Sequence, residues 1–243
     1  RVYLQATNDI RDADSLSNST NVTASALAMR AGGKIGSSDT DAASSTNRNA
    51  IGTRVTTLAA QSSTGIYIQE ADGVTIDLVN VSVDRVNFNS TKTAQSQTLE
   101  DLTTTNNGPV KLQSLTGNIV VNPGTTGTNG ISANGTGDIL LQALAGNITS
   151  NAVIASGTGN ITLDVSGILT TNAGIQTGGS GSIYIASGSN ATIQSITTGG
   201  GDLQILSGDV LTLGSINAGT GRVYLQATND IQDSDSLSNS TNV

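Results

Sequence analysis

The chain has 243 residues with 29 Gly, two Pro, four Tyr, one Phe and no Cys, His or Trp, and ten Lys and Arg stand against 18 Asp and Glu for a net charge of −8. The absence of Cys and His excludes zinc fingers, His- or Cys-ligated haem, disulfide scaffolds and catalysis through Cys/His or Ser/His pairs. The acidic balance and scarce aromatics argue against a nucleic-acid partner, and no apolar run approaches the roughly 18 residues of a membrane span, so no membrane insertion is expected.

Residues 1–22, RVYLQATNDIRDADSLSNSTNV, open in a strand and return at 222–243 as RVYLQATNDIQDSDSLSNSTNV, with Gln232 and Ser234 in place of Arg11 and Ala13. The offset of 221 residues makes the chain one complete super-repeat, 1–221, followed by the start of the next, 222–243. We read it as a window from a longer tandem array. Strand-like runs follow at Val22–Met29, Val55–Leu58, Gly65–Ile68, Val74–Val83 and Val86–Phe88. The polar segments Gly36–Asn49 and Asn89–Asn107 read as protruding loops, so residues 1–107 form an irregular, loop-bearing half.

From residue 108 to 221 the pattern is regular. Gly108-Pro-Val-Lys-Leu-Gln-Ser-Leu-Thr-Gly-Asn-Ile aligns with Gly137-Asp-Ile-Leu-Leu-Gln-Ala-Leu-Ala-Gly-Asn-Ile. Further starts at Gly159, Gly181, Gly201 and Gly221 give spacings of 29, 22, 22, 20 and 20, the first enlarged by an insertion near Pro123–Asn129. Ile139 and Leu141, Ile161 and Leu163, Ile183 and Ile185, Leu203 and Ile205 alternate along strands, one face inward. Twenty residues cannot bury such a face alone, but stacked units can, each strand pairing in parallel with its equivalent in the next. The fold class is therefore all-β, a right-handed parallel β-helix (β-solenoid) with about ten coils of 20–22 residues per super-repeat. At about 4.8 Å per coil the expected advance is roughly 48 Å per super-repeat.

Gly32-Gly33-Lys34-Ile35-Gly36, the Thr-Gly-x-Ile/Tyr strand start and the Gly-x-Ile-x-Leu coils resemble the large repetitive surface proteins of the filamentous-haemagglutinin-like class. The resemblance is one of repeat texture. It implies a parallel β-helix, export to the bacterial surface, and adhesive or structural work outside the cell.

One cluster of carboxylates recurs. Asp9, Asp12 and Asp14 return as Asp230, Asp233 and Asp235, spared by both substitutions, and Asp39 and Asp41 form another close pair. Several oxygen ligands in one loop suit calcium, set against a solvated polar turn that deters lateral sticking. Calcium is the one cofactor these residues suggest. Glu70 with Asp72, and Glu100 with Asp101, are the acid neighbours a glycosidase-like site would need, but no Arg or Lys pair is expected beside them. No catalytic residues are assigned and no enzyme is expected. Asn-x-Ser/Thr triplets such as Asn134, Asn147, Asn160 and Asn190 suit coil turns and side-chain ladders. Two functions remain: a structural rod whose partner is itself, end to end, or an adhesin rod binding a cell-surface ligand through loops shown once per repeat.

Overall fold

The computed structural model describes residues 1–13, 19–38 and 49–234; Asp14, Asp39, Asp41, Asp235 and most of segment Gly36–Asn49 lie outside them. The described chain is all-β, with 24 strands and no helix. In order these are β1 (Val2–Ala6), β2 (Val22–Ala31), β3 (Lys34–Ile35), β4 (Ile51–Ser62), β5 (Gly65–Glu70), β6 (Val74–Ile76), β7 (Val79–Val86), β8 (Lys92–Leu99) and β9 (Leu102–Thr104). The regular half continues with β10 (Val110–Ser114), β11 (Ile119–Val121), β12 (Asn129–Ala133), β13 (Ile139–Ala143), β14 (Ile148–Ser150), β15 (Val153–Ser156), β16 (Ile161–Val165), β17 (Leu169–Thr171) and β18 (Gly174–Thr177). The last six are β19 (Ile183–Ser187), β20 (Ala191–Thr197), β21 (Leu203–Ser207), β22 (Leu211–Asn217), β23 (Val223–Ala227) and β24 (Ile231–Asp233).

All strands but β7 and β8 belong to one parallel sheet wound into a solenoid. Three faces repeat. Face A stacks β5, β10, β13, β16, β19, β21 and β23. Face B stacks β6, β11, β14, β17 and the first halves of β20 and β22. Face C stacks β9, β12, β15, β18 and the second halves of β20 and β22. In the first half β4 bends round all three faces, pairing in turn with β5, β6 and β9.

Register follows the glycine alignment read from the sequence: Val110 pairs with Ile139, and Ile119 with Ile148. Gly65-Ile-Tyr-Ile is a coil start, with Ile66 beside Val110. The alternation Ile161, Leu163, Val165 points inward, leaving Thr162 and Asp164 outside. One continuous apolar column runs from Leu27 to Ile216. Its residues are Ile, Leu, Val and Ala with a single Met, because the bore between three short strands admits nothing aromatic.

Coil length is less uniform than 20–22 residues. The inward column of face C is Leu4, Met29, Ala60, Leu102, Ile131, Ile154, Ile175, Ile196, Ile216. Early coils therefore take 25, 31, 42 and 29 residues before the spacing settles at 23, 21, 21 and 20. The super-repeat thus holds about eight and a third turns instead of ten, and its advance is about 40 Å instead of 48 Å. In the 42-residue coil the surplus leaves the stack at residues 79–99. Ile35 and Ile51, though 16 positions apart in the chain, lie against Ile66 and Ile68 of one strand.

Glycines mark one corner for a packing reason. Gly137, Gly159, Gly181, Gly201 and Gly221 stack so closely that a Cβ on any of them would overlap the carbonyl oxygen of the glycine one coil earlier. Beside them, buried hydroxyls close the turns: Ser156 Oγ donates to Gly137 O at 2.7 Å and accepts from Gly159 N at 2.9 Å. Thr104, Thr177 and Thr198 donate in the same way to the carbonyls of Gly108, Gly181 and Gly201. On the surface Asn172, Asn151, Asn122 and Asp77 form a hydrogen-bonded ladder at 2.8–2.9 Å. Asn147 and Asn160 accept backbone N–H groups from the following coil, which is the ladder chemistry expected of those triplets.

The run Val74–Val83 does not form one strand. The stack keeps only Val74–Ile76, and Val79–Val86 turns outward to pair antiparallel with Lys92–Leu99. The protrusion is therefore a hairpin arm, residues 79–99, and Leu102–Thr104 of the expected loop returns to face C. Valine alternation reads alike in a core strand and an arm, while its polar partner, Lys-Thr-Ala-Gln-Ser-Gln-Thr, reads as loop.

Candidate functional site

The recurring aspartates are only partly described. Asp9 Oδ1 accepts the Lys34 backbone N–H at 2.9 Å, and its Oδ2 takes the Arg11 guanidinium at 2.7 Å. These bonds hold its carboxyl below the ordinary carboxylate range, the Lys34 N–H contributing most and Arg11 next. Asp12 Oδ1 accepts from Asn21 Nδ2 at 2.9 Å. Asp9 adjoins Ile10, which bridges to Ile35, so it ties the end of the stack to the next coil, while the Asp12–Asn21 bond lies within one coil. The second copy differs: Asp230 accepts Leu211 N–H through its main chain, and Asp233 ends β24. Among the described residues no three carboxylates gather as a metal would need, and Asp14 and Asp235 lie outside them.

Two other acids are more perturbed. Glu70 ends β5 pointing inward, fully buried, in the corner column it shares with Thr53 and Ser114. Desolvation pushes its carboxyl up to about 7, against hydrogen bonds from Thr53 Oγ1 at 2.6 Å and Val55 N–H at 3.1 Å. Asp72 lies past the strand end, half-exposed, 3.6 Å from Arg54. Asp72 has left the strand, yet its side chain still reaches Glu70 and adds to desolvation in raising that carboxyl, and a basic partner accompanies Asp72, carried there by β4 from the preceding coil. Sequence spacing could not reveal that neighbour.

Asp101 sits at the foot of the arm, nearly buried, with φ 66°. Desolvation first and the charge of Glu100 second raise its carboxyl to about 6, and its Oδ1 is buried without a hydrogen-bond partner. Glu100 is instead clasped by the Thr125 and Thr126 hydroxyls and N–H groups, which keep its carboxyl low. These residues, with Arg30 and Gln61, line a hollow of about 360 Å³.

The arm is anchored by a small core of its own. Val79, Val81 and Leu99 pack against Ala26, Ala28 and Ala59 on the outer side of β2 and β4, with Tyr3 of β1 half-buried against them. Arg1 Nη1 donates to Asn80 O at 2.9 Å. The arm thus leaves the third coil and runs back along the solenoid axis over two earlier coils to β1. There its burial pattern stops: Val83, next on the inner side after Val81, is 55% exposed. Val86 is exposed on the outer side, and Phe88 is fully exposed at the turn. That turn closes with Asn87 N–H on Thr91 O at 2.8 Å and Ser90 at φ 63°.

A second feature lies at the other end. The outer side of face A carries a groove of about 620 Å³ along β16, β19, β21 and β23, with Tyr184 and Tyr224 on its floor and Asp202 and Arg222 on its rim. Its outward column runs Thr162, Tyr184, Gln204, Tyr224.

The two copies of Arg-Val-Tyr-Leu-Gln-Ala occupy different faces. In β1, Leu4 lies on face C beside Met29, and in β23, Leu225 lies on face A beside Ile205. No protein-family model, curated protein or solved structure matches the chain.

Proposed function

We infer that the chain is structural: a length of extracellular bacterial fibre or surface filament built from tandem β-solenoid super-repeats, with itself as partner. One observation carries this reading. The same hexapeptide pairs with the coil that follows it in β1 and with the coil that precedes it in β23. A strand inside a continuous array makes both pairings at once, and residues 222–227 satisfy the backbone groups of β21 on one side while offering the other edge to a copy of β2. The surface location rests on the resemblance to filamentous-haemagglutinin-like proteins.

Electron microscopy of chains with one, two and four super-repeats tests it. Rod length should rise by about 40 Å per unit. Separate beads, or lengths that do not scale, would refute the reading.

The adhesin alternative has one observation in its favour: Val86 and Phe88 stand exposed on the outer side and tip of the arm. Replacing residues 82–97 with a two-residue turn should abolish attachment to cells under that reading and leave the rod intact.

A further inference from the structure

We propose that the groove on face A is the docking site for the β7–β8 arm of the next super-repeat, so that each unit clamps the one before it. The inference rests on the tandem reading and goes beyond it, because a rod of stacked coils requires no arm.

The argument begins with the duplicated strand. Within one unit the arm lies over the outward column Ala59, Ala28, Tyr3, with Arg1 held on Asn80 O. Tyr224 and Arg222 are the second copies of Tyr3 and Arg1, and they line the groove with no arm over them. In an array, one strand serves as β23 of one unit and β1 of the next. The column under the arm then continues from Tyr3, now Tyr224, to Gln204, Tyr184 and Thr162 of the preceding unit. The groove is the continuation of the surface on which the arm already rests.

Lengths agree. From Val79 to Arg85 the arm rises about 20 Å at 3.4 Å per residue, and from Ala59 to Tyr184 is four coils, about 19 Å at 4.8 Å each. Val83 then covers Tyr224 and Gln204, ending its exposure. Arg85, on the same inner side as Val79, Val81 and Val83, reaches the ring of Tyr184 beside Asp164 and Asp202, a cation over an aromatic face with acidic neighbours. Val86 and Phe88 stay outside.

The shift of face has a geometric consequence. Because β1 opens on face C and β23 lies on face A, each unit is turned by one face, about a third of a turn, relative to the last. Arms therefore leave the rod on three sides in succession, one about every 40 Å, instead of in a single row.

The test uses two consecutive units in one chain, the second beginning at the duplicated strand. The protein has no native Cys. Tyr184→Cys in the first unit and Arg85→Cys in the second should be joined in most molecules by a bis-maleimide linker of about 10 Å, the spacing of packed sheets. Ser96→Cys in place of Arg85→Cys puts the thiol on the far side of the arm and should leave the pair unjoined. In the unsubstituted two-unit chain, hydrogen exchange over residues 92–98 should split into two equal populations, one protected roughly tenfold more than the other. Equal cross-linking of both pairs, or a single unprotected population, would overturn the docking. If microscopy of the same chain shows one continuous rod while docking fails, the tandem reading stands alone; if the two units do not form one rod, the tandem reading has failed first.

Discussion

Glu70 makes the solenoid sensitive to pH in a defined direction. Its folded-state carboxyl is raised from 4.5 to about 7 because it is desolvated in the corner between faces A and B. The folded state therefore prefers the proton. The contribution is fully present below pH 4.5 and is lost as pH rises through about 7. A displacement of that size corresponds to at most about 3 kcal/mol between pH 4.5 and pH 8. Glu70→Gln keeps the shape: Oε1 accepts the Val55 N–H, and Nε2 donates to the Thr53 hydroxyl in place of the bond Thr53 now gives. The variant should match the wild type near pH 5 and exceed it by up to about 3 kcal/mol at pH 8. Urea unfolding followed by circular dichroism between pH 5 and pH 8 measures both. Asp101, raised to about 6, adds a slope of the same sign at lower pH, so the window from pH 6 to pH 8 is diagnostic. A wild-type midpoint that stays level across that window, or a variant with the wild-type slope, would refute the reasoning.

Three further outcomes are expected. Gly159→Ala should cost at least about 2 kcal/mol in the same unfolding assay, because its Cβ meets backbone that is tied into the neighbouring coil and cannot retreat. Leu163→Ala, deep in the bore, should cost about 2–5 kcal/mol, and a value below 1 would mean that the column collapses around the gap. Ser90→Gly should stabilise the arm by about 1 kcal/mol, since Ser90 holds a left-handed conformation that Gly adopts without strain, read as slower hydrogen exchange in residues 92–98.

Much of the architecture was legible because it is periodic. The glycine register, the inward Ile and Leu of the regular coils and the start at Gly65 correspond to observed pairings. Coil number was overestimated because early coils shed residues sideways, and no local pattern distinguishes an arm from a strand of the stack. Val79, Val81 and Val83 alternate just as Ile161, Leu163 and Val165 do, yet Val79 and Val81 pack outside the solenoid, Val83 stands exposed, and the second set packs inside. Among the acids, the sequence drew attention to Asp9 and Asp12, whose bonds tie turns, and to Glu70 with Asp72 and Glu100 with Asp101 only as neighbours along the chain. Glu70 and Asp101 owe their raised carboxyls first to desolvation in the packed coils, a burial that no spacing along the chain shows, with the charge of Glu100 adding to it at Asp101.

By itself the sequence determined that the molecule is a parallel solenoid with a short and a long period. Repetition every twenty-odd residues of an apolar face too small to bury alone admits few other solutions. Only the tertiary structure decided where each coil begins on the circumference. Two identical hexapeptides lie on faces C and A because their offset, 221 residues, is not a whole number of turns when the coils are of such unequal length. A strand with one inward side fits any face of this bore, so its place is set by the length of chain wound before it.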